Sequence, residues 1–125
     1  MSEVDEELIA AAFDLIARAN DGENRTVAAA VRTAGGAIVT GLNLYHFTGG
    51  PCAEVVALAN VAALRAEAVT IVAVNTRAVM SPCGRCRQTM LDYWPDASVI
   101  VGDGDGKPVT LPVLDLLPLA YRANR

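Results

Sequence analysis

The order of helical and strand-like segments predicts an α/β fold. The segment 4–20 places apolar residues at helical spacing, with Asp and Glu on the opposite side. The segment 69–75 is a short, continuous apolar run, which is typical of a central strand. Gly35 and Gly36 separate two strand-like runs and predict a hairpin turn. With 125 residues in all, the chain is expected to form one domain over residues 1–125.

Each element has its own boundary signals. The first helix is expected to end at the polar cluster 20–22. Pro51 fits the first turn of a second helix, where its missing N–H costs little. That helix is predicted to run to about Glu67, and because it is apolar almost all round we expect it to be buried. Pro82 opens a third helix that ends near Pro95. The remaining predictions are strands at 26–33, 37–44, 97–101 and around Val109, a loop at 45–50, a turn at 102–106 and a short helix at 112–117. The predicted order is therefore αββαβαββα, with five strands.

Charge and composition argue against several classes of function. The formal net charge is −4 and the ten Lys and Arg residues are scattered, so there is no basic stripe for nucleic acid. The sequence contains no run of about eighteen apolar residues, so no membrane span is expected. Residues 1–7 are acidic, whereas a secretory signal begins basic and then becomes apolar. We therefore expect a cytoplasmic protein.

The three cysteines stand at two predicted helix starts. Cys52 follows Pro51 in the segment PCAE, and Cys83 follows Pro82 in PCGRC. A helix N-terminus carries partial positive charge, which favours the metal-binding thiolate. Cys86 lies three residues after Cys83, so the two share one helical face. Three protein ligands with an open fourth position are the arrangement of a catalytic zinc site. An odd cysteine count in a cytoplasmic chain also favours a metal over disulfides.

Glu54 lies two residues after Cys52 and is the candidate proton carrier. If Cys52 is at the very start of the helix, Glu54 can fold over the helix mouth and move a proton from water to a ring nitrogen. Zinc can lower the pKa of water to about 7, an effect that three thiolates should weaken. The helix dipoles and Arg85 or Arg87 could offset the excess negative charge, and Arg85 is a candidate outer contact of the ligands. Cys-x-Glu followed by Pro-Cys-x-x-Cys is the signature of zinc deaminases that act on nucleobases.

The same residues allow other interpretations. Cys83 and Cys86 could form a redox dithiol, which leaves Cys52 and the glutamate without a role. His46, the only histidine, could close a structural Cys3His zinc site, and the protein would then be a non-enzymatic module that binds a protein partner. A pocket that binds its ligand without turnover is a third possibility. Asn43 is either an ordinary strand-end residue or a hydrogen-bond donor to a substrate.

Two segments resemble the cytidine deaminase superfamily and, within it, the blasticidin S deaminases. They are GLNLYHFTGGPCAE at 41–54 and SPCGRCRQ at 81–88, and a weaker likeness continues to Tyr121. The resemblance implies a three-layer αβα fold with a mixed five-stranded sheet. It also implies a homotetramer whose active sites are completed by neighbouring subunits, which the apolar second helix would suit.

The resemblance further implies roles for individual residues. Cys52, Cys83 and Cys86 would hold Zn²⁺. Glu54 would carry the proton while water attacks C4 of a cytosine and ammonia leaves. The residues implied to contact the substrate are Asn43, Tyr45 and Tyr121.

The expected substrate is a small cytosine nucleoside or nucleoside antibiotic. Cytidine deaminases carry Asn-x-Glu, whose Glu contacts the ribose, and Tyr45 stands in place of that Glu here. The antibiotic-specific enzymes carry a tryptophan two residues after a tyrosine near the C-terminus, whereas Tyr121 is followed by Arg122 and Ala123. The first difference argues against plain cytidine and the second is a departure from the antibiotic-specific pattern. The resemblance predicts a cytosine nucleoside or a nucleoside antibiotic of the blasticidin S type, with cytidine or deoxycytidine as the alternative.

Overall fold

A computed structural model describes residues 3–122 and shows helices on both faces of a mixed sheet. The helices are α1 (Glu6–Ala19), α2 (Ala53–Ala63), α3 (Gly84–Tyr93) and a short 3₁₀ helix (Val113–Leu116). The strands are β1 (Ala28–Thr33), β2 (Ile38–Leu42), β3 (Ala68–Val74), β4 (Val79–Met80), β5 (Ser98–Gly102) and β6 (Pro108–Pro112). Ala123 lies outside the described residues. No helix within residues 3–122 is both long and apolar enough to cross a membrane.

The sheet has the strand order β2-β1-β3-β5-β6, with β4 paired to β3 beside this path. The hairpin of β1 and β2 is antiparallel, and Gly36 takes a positive φ of 94° in its turn. Strands β3 and β5 are parallel neighbours, and α3 forms the crossover between them. The N-terminus of α3 therefore lies at the edge of the sheet where β3 ends.

Alternate residues of the strands face two separate clusters of buried side chains. On one face, α1 packs its buried stripe against the sheet; the apolar contacts of that cluster include Leu8, Ala12, Ile16, Ala28, Ala30, Val72, Val74 and Ile100. On the other face, α2 and α3 pack together; that cluster includes Ala29, Val31, Ala57, Val61, Ile71, Met90 and Val99. The predicted three-layer αβα architecture is confirmed.

The structure differs from the predicted elements at two places. The sheet has a sixth strand, β4, which is only two residues long and so carries no periodic signal. Helix α2 ends at Ala63 and not near Glu67. Arg65 adopts a left-handed φ of 55°, and the N–H groups of residues 65 and 66 turn back to the carbonyls of Ala62 and Val61. This capping geometry usually has glycine at the left-handed position. Because arginine holds that position here, the end of the helix could not be predicted from the sequence.

Helix α2 is buried on one side only, and the expectation of a helix buried all round is wrong for the single chain. Its buried residues are Ala53, Glu54, Ala57, Leu58 and Val61. Ala59, Ala62 and Ala63 are exposed. The buried side lies directly on β2 because Gly41 has no side chain: a Cβ there would stand 2.4 Å from the Ala57 nitrogen. This close approach sets where the start of α2 meets the sheet.

Candidate active site

The three thiols meet at the starts of two helices. Cys52 is the N-cap of α2 and Cys83 is the N-cap of α3, so both cysteines stand at helix starts as predicted. Pro51 and Pro82 were expected in the first turns, but each lies one residue before the N-cap. The Sγ of Cys83 lies 3.9 Å from that of Cys52 and 3.5 Å from that of Cys86. All three sulfurs lie within 4.8 Å of one another. Sulfurs that share a tetrahedral zinc at a Zn–S distance of about 2.3 Å stand roughly 3.8 Å apart, so the cluster fits three ligands of such an ion.

The thiols differ in burial and in the ease with which they ionise. Cys86 is buried, Cys52 is half-buried and Cys83 is exposed. Burial raises the pKa of the Cys86 thiol, and the charge of Glu54 raises it further. Burial also opposes ionisation of Cys83, but the N–H groups of Cys86 and Arg85 and the two neighbouring thiols outweigh it and lower the pKa of Cys83. At the start of α3 the thiolate of Cys83 is therefore favoured, as helix-start chemistry predicts, whereas burial opposes ionisation of Cys86 in the same turn.

Arg85 reaches the cluster from the first turn of α3. Its Nη2 donates to the Sγ of Cys52 at 3.4 Å. This hydrogen bond and the nearby thiols raise the pKa of the guanidinium. Arg85 thus places a positive charge against the thiol of Cys52 on the other helix. This agrees with the predicted contact between Arg85 and the metal-binding thiols. Arg87, the second candidate for that task, instead hydrogen-bonds to two backbone carbonyls.

Glu54 lies in the first turn of α2 and is only 6% exposed. Burial raises the pKa of its carboxyl, and a hydrogen bond with Cys86 partly offsets this rise. Cys52 does stand at the start of the helix, so Glu54 can fold beside the thiols as the sequence required. A buried carboxyl with a raised pKa next to a cluster of potential metal ligands is suited to moving protons.

A pocket of about 250 Å³ opens above the cluster. We call the part lined by Cys52, Glu54 and Cys83, together with Cys86 and Arg85, which contact these thiols, its metal side. The part lined by Val27, Asn43, Leu44 and Tyr45 is its loop side. The remaining lining residues are Gly50, Pro51, Ala53, Met80 and Ser81. A pocket that is mainly apolar with a few convergent polar groups is typical of a small-molecule site.

Asn43 is held in a defined orientation on the loop side. Its Oδ1 accepts hydrogen bonds from the N–H groups of Thr26 at 2.8 Å and Val27 at 2.9 Å. Its Nδ2 makes only a long contact of 3.4 Å to the Thr26 hydroxyl. The carbonyl oxygen is therefore used by the backbone, and the NH₂ group is the one left to donate to a ligand.

The structure separates the other candidates. Tyr45 lines the pocket, and its side chain is largely exposed. Tyr121 is exposed and does not line this pocket within its own chain. His46 is exposed, and its Nδ1 is engaged by the hydroxyl and the N–H of Thr48. Within residues 3–122, the side chains close enough to share a metal ion are the three cysteines alone, so His46 does not complete a Cys3His site here.

The lining residues that the sequence did not single out as site candidates include Ser81, Met80 and Val27. Ser81 directly precedes Pro82 in the second cysteine motif, and that position was the available signal. Met80 belongs to the short strand β4. Val27, just before β1, comes near Asn43, just after β2, because β1 pairs with β2. Such contacts between distant residues leave no local pattern.

The comparisons with known proteins agree with this geometry. Residues 2–102 match the family model described as the cytidine and deoxycytidylate deaminase zinc-binding region. A blasticidin-S deaminase of Bacillus cereus is 32% identical over 99% of this chain and 96% of its own length. A cytidine deaminase of Halalkalibacterium halodurans is 33% identical over 78% of each chain. The crystal structure of a cytidine deaminase from Burkholderia pseudomallei covers 95% of this chain and 100% of its own, with a TM-score of 0.79 and 29% identity. The chain belongs to the cytidine and deoxycytidylate deaminase family of zinc-dependent hydrolases that act on cytosine amino groups.

Proposed function

We propose that this protein deaminates a cytosine-containing nucleoside antibiotic of the blasticidin S type, converting the cytosine to uracil and releasing ammonia. The observation that carries the reaction is the buried carboxyl of Glu54 beside three clustered thiols in one pocket. The relative that matches nearly the whole chain is a blasticidin-S deaminase. The segment from Asn43 to Gly50, just before Cys52, is the more specific part of the resemblance to that branch.

Each residue of the metal side has a task in this proposal. Cys52, Cys83 and Cys86 hold the metal, and Arg85 offsets part of their negative charge. Zinc held there supplies a Lewis acid that activates water. Glu54 accepts a proton from the attacking water and passes it to the ring nitrogen of the cytosine. It carries a second proton from the same oxygen to the departing ammonia, so that cytosine and water become uracil and ammonia.

The loop side supplies recognition of the sugar. The NH₂ group of Asn43 donates to an acceptor oxygen of the glycon, and its orientation is maintained by the N–H groups of Thr26 and Val27. Tyr45 offers a phenolic hydroxyl where a carboxylate would select ribose. A glycon that differs from ribose therefore fits these residues better than ribose does.

A second candidate substrate is cytidine or deoxycytidine. The observation in its favour is that the cytidine deaminase relative is 33% identical, as similar as the blasticidin-S deaminase over a shorter stretch. The reaction and the metal side are the same for both candidates. Only the loop side would have to accommodate a ribose.

We further propose a homotetramer in the cytoplasm, with each pocket completed by a neighbour. Tyr121, implied to contact substrate, lies outside the pocket of its own chain, so it would reach the pocket of another subunit. The exposed small residues of α2 border an apolar groove between α2 and α3. This groove is lined by Val55, Leu58, Ala59, Ala62, Thr89, Tyr93 and Trp94. Covering such a surface favours association.

Ammonia release from a substrate panel tests the proposal. The zinc-loaded protein would be given blasticidin S, cytidine and deoxycytidine, and the loss of cytosine absorbance would be followed with zinc content measured alongside. We expect turnover of blasticidin S with a higher kcat/KM than of cytidine. A higher value for cytidine would favour the second candidate. A zinc-loaded protein that deaminates none of the three would contradict the proposed function.

A further inference from the structure

Arg87 of α3 joins the metal side of the pocket to the C-terminal segment, residues 113–121. Its Nε donates to the carbonyl oxygen of Pro82 at 2.8 Å, and its Nη1 donates to the carbonyl oxygen of Leu116 at 2.9 Å. One guanidinium therefore bridges the peptide group that precedes Cys83 and the 3₁₀ helix. Neither metal binding by the thiols nor proton transfer by Glu54 involves this contact directly.

Cys83 is the thiol with the least packing to hold it. It is exposed, whereas Cys86 is buried and Cys52 is half-buried, and its side chain makes no capping hydrogen bond. Its position therefore depends on its backbone. The carbonyl before Cys83 accepts from the Arg87 side chain, and the carbonyl of Cys83 itself accepts from the Arg87 N–H at 3.0 Å. The peptide group before Cys83 is therefore held by the Arg87 side chain, and the one after it by the ordinary helical backbone bond at the same residue.

The C-terminal segment is anchored on either side of this bridge. The N–H of Val113 donates to the carbonyl oxygen of Ala97 at 3.0 Å, and the Val113 side chain is buried. Toward the other end, the Nε2 of Gln88 donates to the carbonyl oxygen of Tyr121 at 2.9 Å. Arg87 and Gln88 are consecutive residues of α3, and together they hold the segment at two carbonyls. The segment is therefore docked along the helix that carries two of the thiols.

We propose that Arg87 is a positioning residue for Cys83, and that docking of the C-terminal segment through Arg87 raises the zinc affinity of the thiol cluster. The inference rests on the zinc site of the proposed function and does not depend on the identity of the substrate. Coupling of this kind is reciprocal: if docking strengthens zinc binding, zinc must strengthen docking by the same factor. Both directions can be measured.

The first experiment uses the unaltered protein. Amide hydrogen exchange would be compared with zinc bound and after removal of zinc by a chelator. We expect exchange in residues 113–121 to become about tenfold faster without zinc, relative to exchange in α1, which packs on the opposite face of the sheet. If the ratio of the exchange rates of residues 113–121 and α1 is the same with and without zinc, the proposal is overturned, since a general loss of stability would speed exchange in both segments.

The second experiment replaces Arg87 by lysine. An ammonium keeps the charge but cannot present the planar fork that spans two carbonyls. We expect Arg87→Lys to raise the zinc dissociation constant about tenfold, the effect of losing one charged hydrogen bond, and to shift the thiolate absorption bands of the cobalt-substituted protein. Arg77→Lys, in the exposed turn before β4, is the matched control and should leave both unchanged.

A purely structural role for Arg87 gives a different result. Arg87→Lys would then lower the melting temperature but keep the zinc dissociation constant and the cobalt spectrum of the control, and the proposal would be wrong. The proposed function fails separately, because it requires the unaltered protein to bind zinc and release ammonia. An active zinc enzyme in which the lysine variant matches the control removes only this inference.

Discussion

The metal side and the loop side of the pocket are built in different ways. The thiols and Glu54 belong to the first turns of two helices that pack on the sheet, and two short motifs contain them all. Asn43 and Tyr45 follow β2 in a segment whose large side chains, Leu44, Tyr45 and Phe47, are exposed. On the proposed function, the reaction depends on the helix ends, whereas substrate choice depends on an exposed loop, and loops tolerate sequence change better than the elements they connect.

Removing one thiol breaks the metal side and has the largest expected effect. Cys86→Ser replaces a buried ligand by a hydroxyl that does not ionise near neutral pH. Loss of an outer contact of a metal ligand typically costs 10- to 100-fold in affinity, so losing the ligand itself should raise the zinc dissociation constant by at least about 100-fold. Competition with a chromophoric chelator measures it. Wild-type zinc affinity in this variant would show that the cluster is not the metal site.

Changing Asn43 tests the loop side alone. In Asn43→Asp one carboxylate oxygen can still accept from the N–H groups of Thr26 and Val27, but the NH₂ donor is lost. We expect KM for the best substrate of the panel to rise about tenfold, the effect of one hydrogen bond to a ligand, with kcat within about twofold. Steady-state kinetics measures both constants.

Two controls separate recognition of the sugar from a general effect of the new charge. Thr26→Val removes only the 3.4 Å contact from the Asn43 Nδ2 and should keep KM unchanged. The affinity for 1-methylcytosine, which has no sugar, should be the same in Asn43→Asp and the wild type. An equal loss for the base and the nucleoside would refute the role of Asn43 in sugar recognition.

The smallest effect is expected away from both sides of the pocket. Asp5 caps α1 and accepts from the Nε of Arg32 at 3.0 Å, and this hydrogen bond lowers its pKa below the usual value. Because the pKa is lower in the folded state, Asp5 stabilises the fold above the unfolded pKa of about 3.9. This stabilisation is lost as the pH falls through the lower folded value.

We expect Asp5→Asn to lower the free energy of unfolding by about 1 kcal/mol at pH 7. The difference from the wild type should shrink as the pH falls below about 4. Urea titrations at both pH values measure it. Glu7→Gln, which changes a more exposed partner of Arg32, should cost less. Zinc affinity and KM should be unchanged in both variants. A change in either would show that the geometry of the pocket depends on the contact between Asp5 and Arg32.

The sequence predicted the metal side and left most of the loop side undetermined. Cys52 and Cys83 could be placed because each directly follows a proline near a helix start, and Glu54 because it lies two residues after Cys52 in the same first turn. The hydrogen bonds that orient Asn43 come from residues that are 17 and 16 positions away in the sequence. The hydrogen bond from Arg87 to Leu116 spans 29 positions. Contacts of that range arise from the folded sheet and leave no local pattern.

The most direct test of the central claim compares Glu54→Gln with the wild type, both loaded with zinc. The carboxamide has the size of the carboxyl but cannot accept and return a proton. The proposed role predicts an unchanged zinc content and melting temperature with a kcat for ammonia release reduced about 10³-fold, within the range for loss of an acid–base group. A zinc-loaded Glu54→Gln protein that releases ammonia at close to the wild-type rate would contradict it.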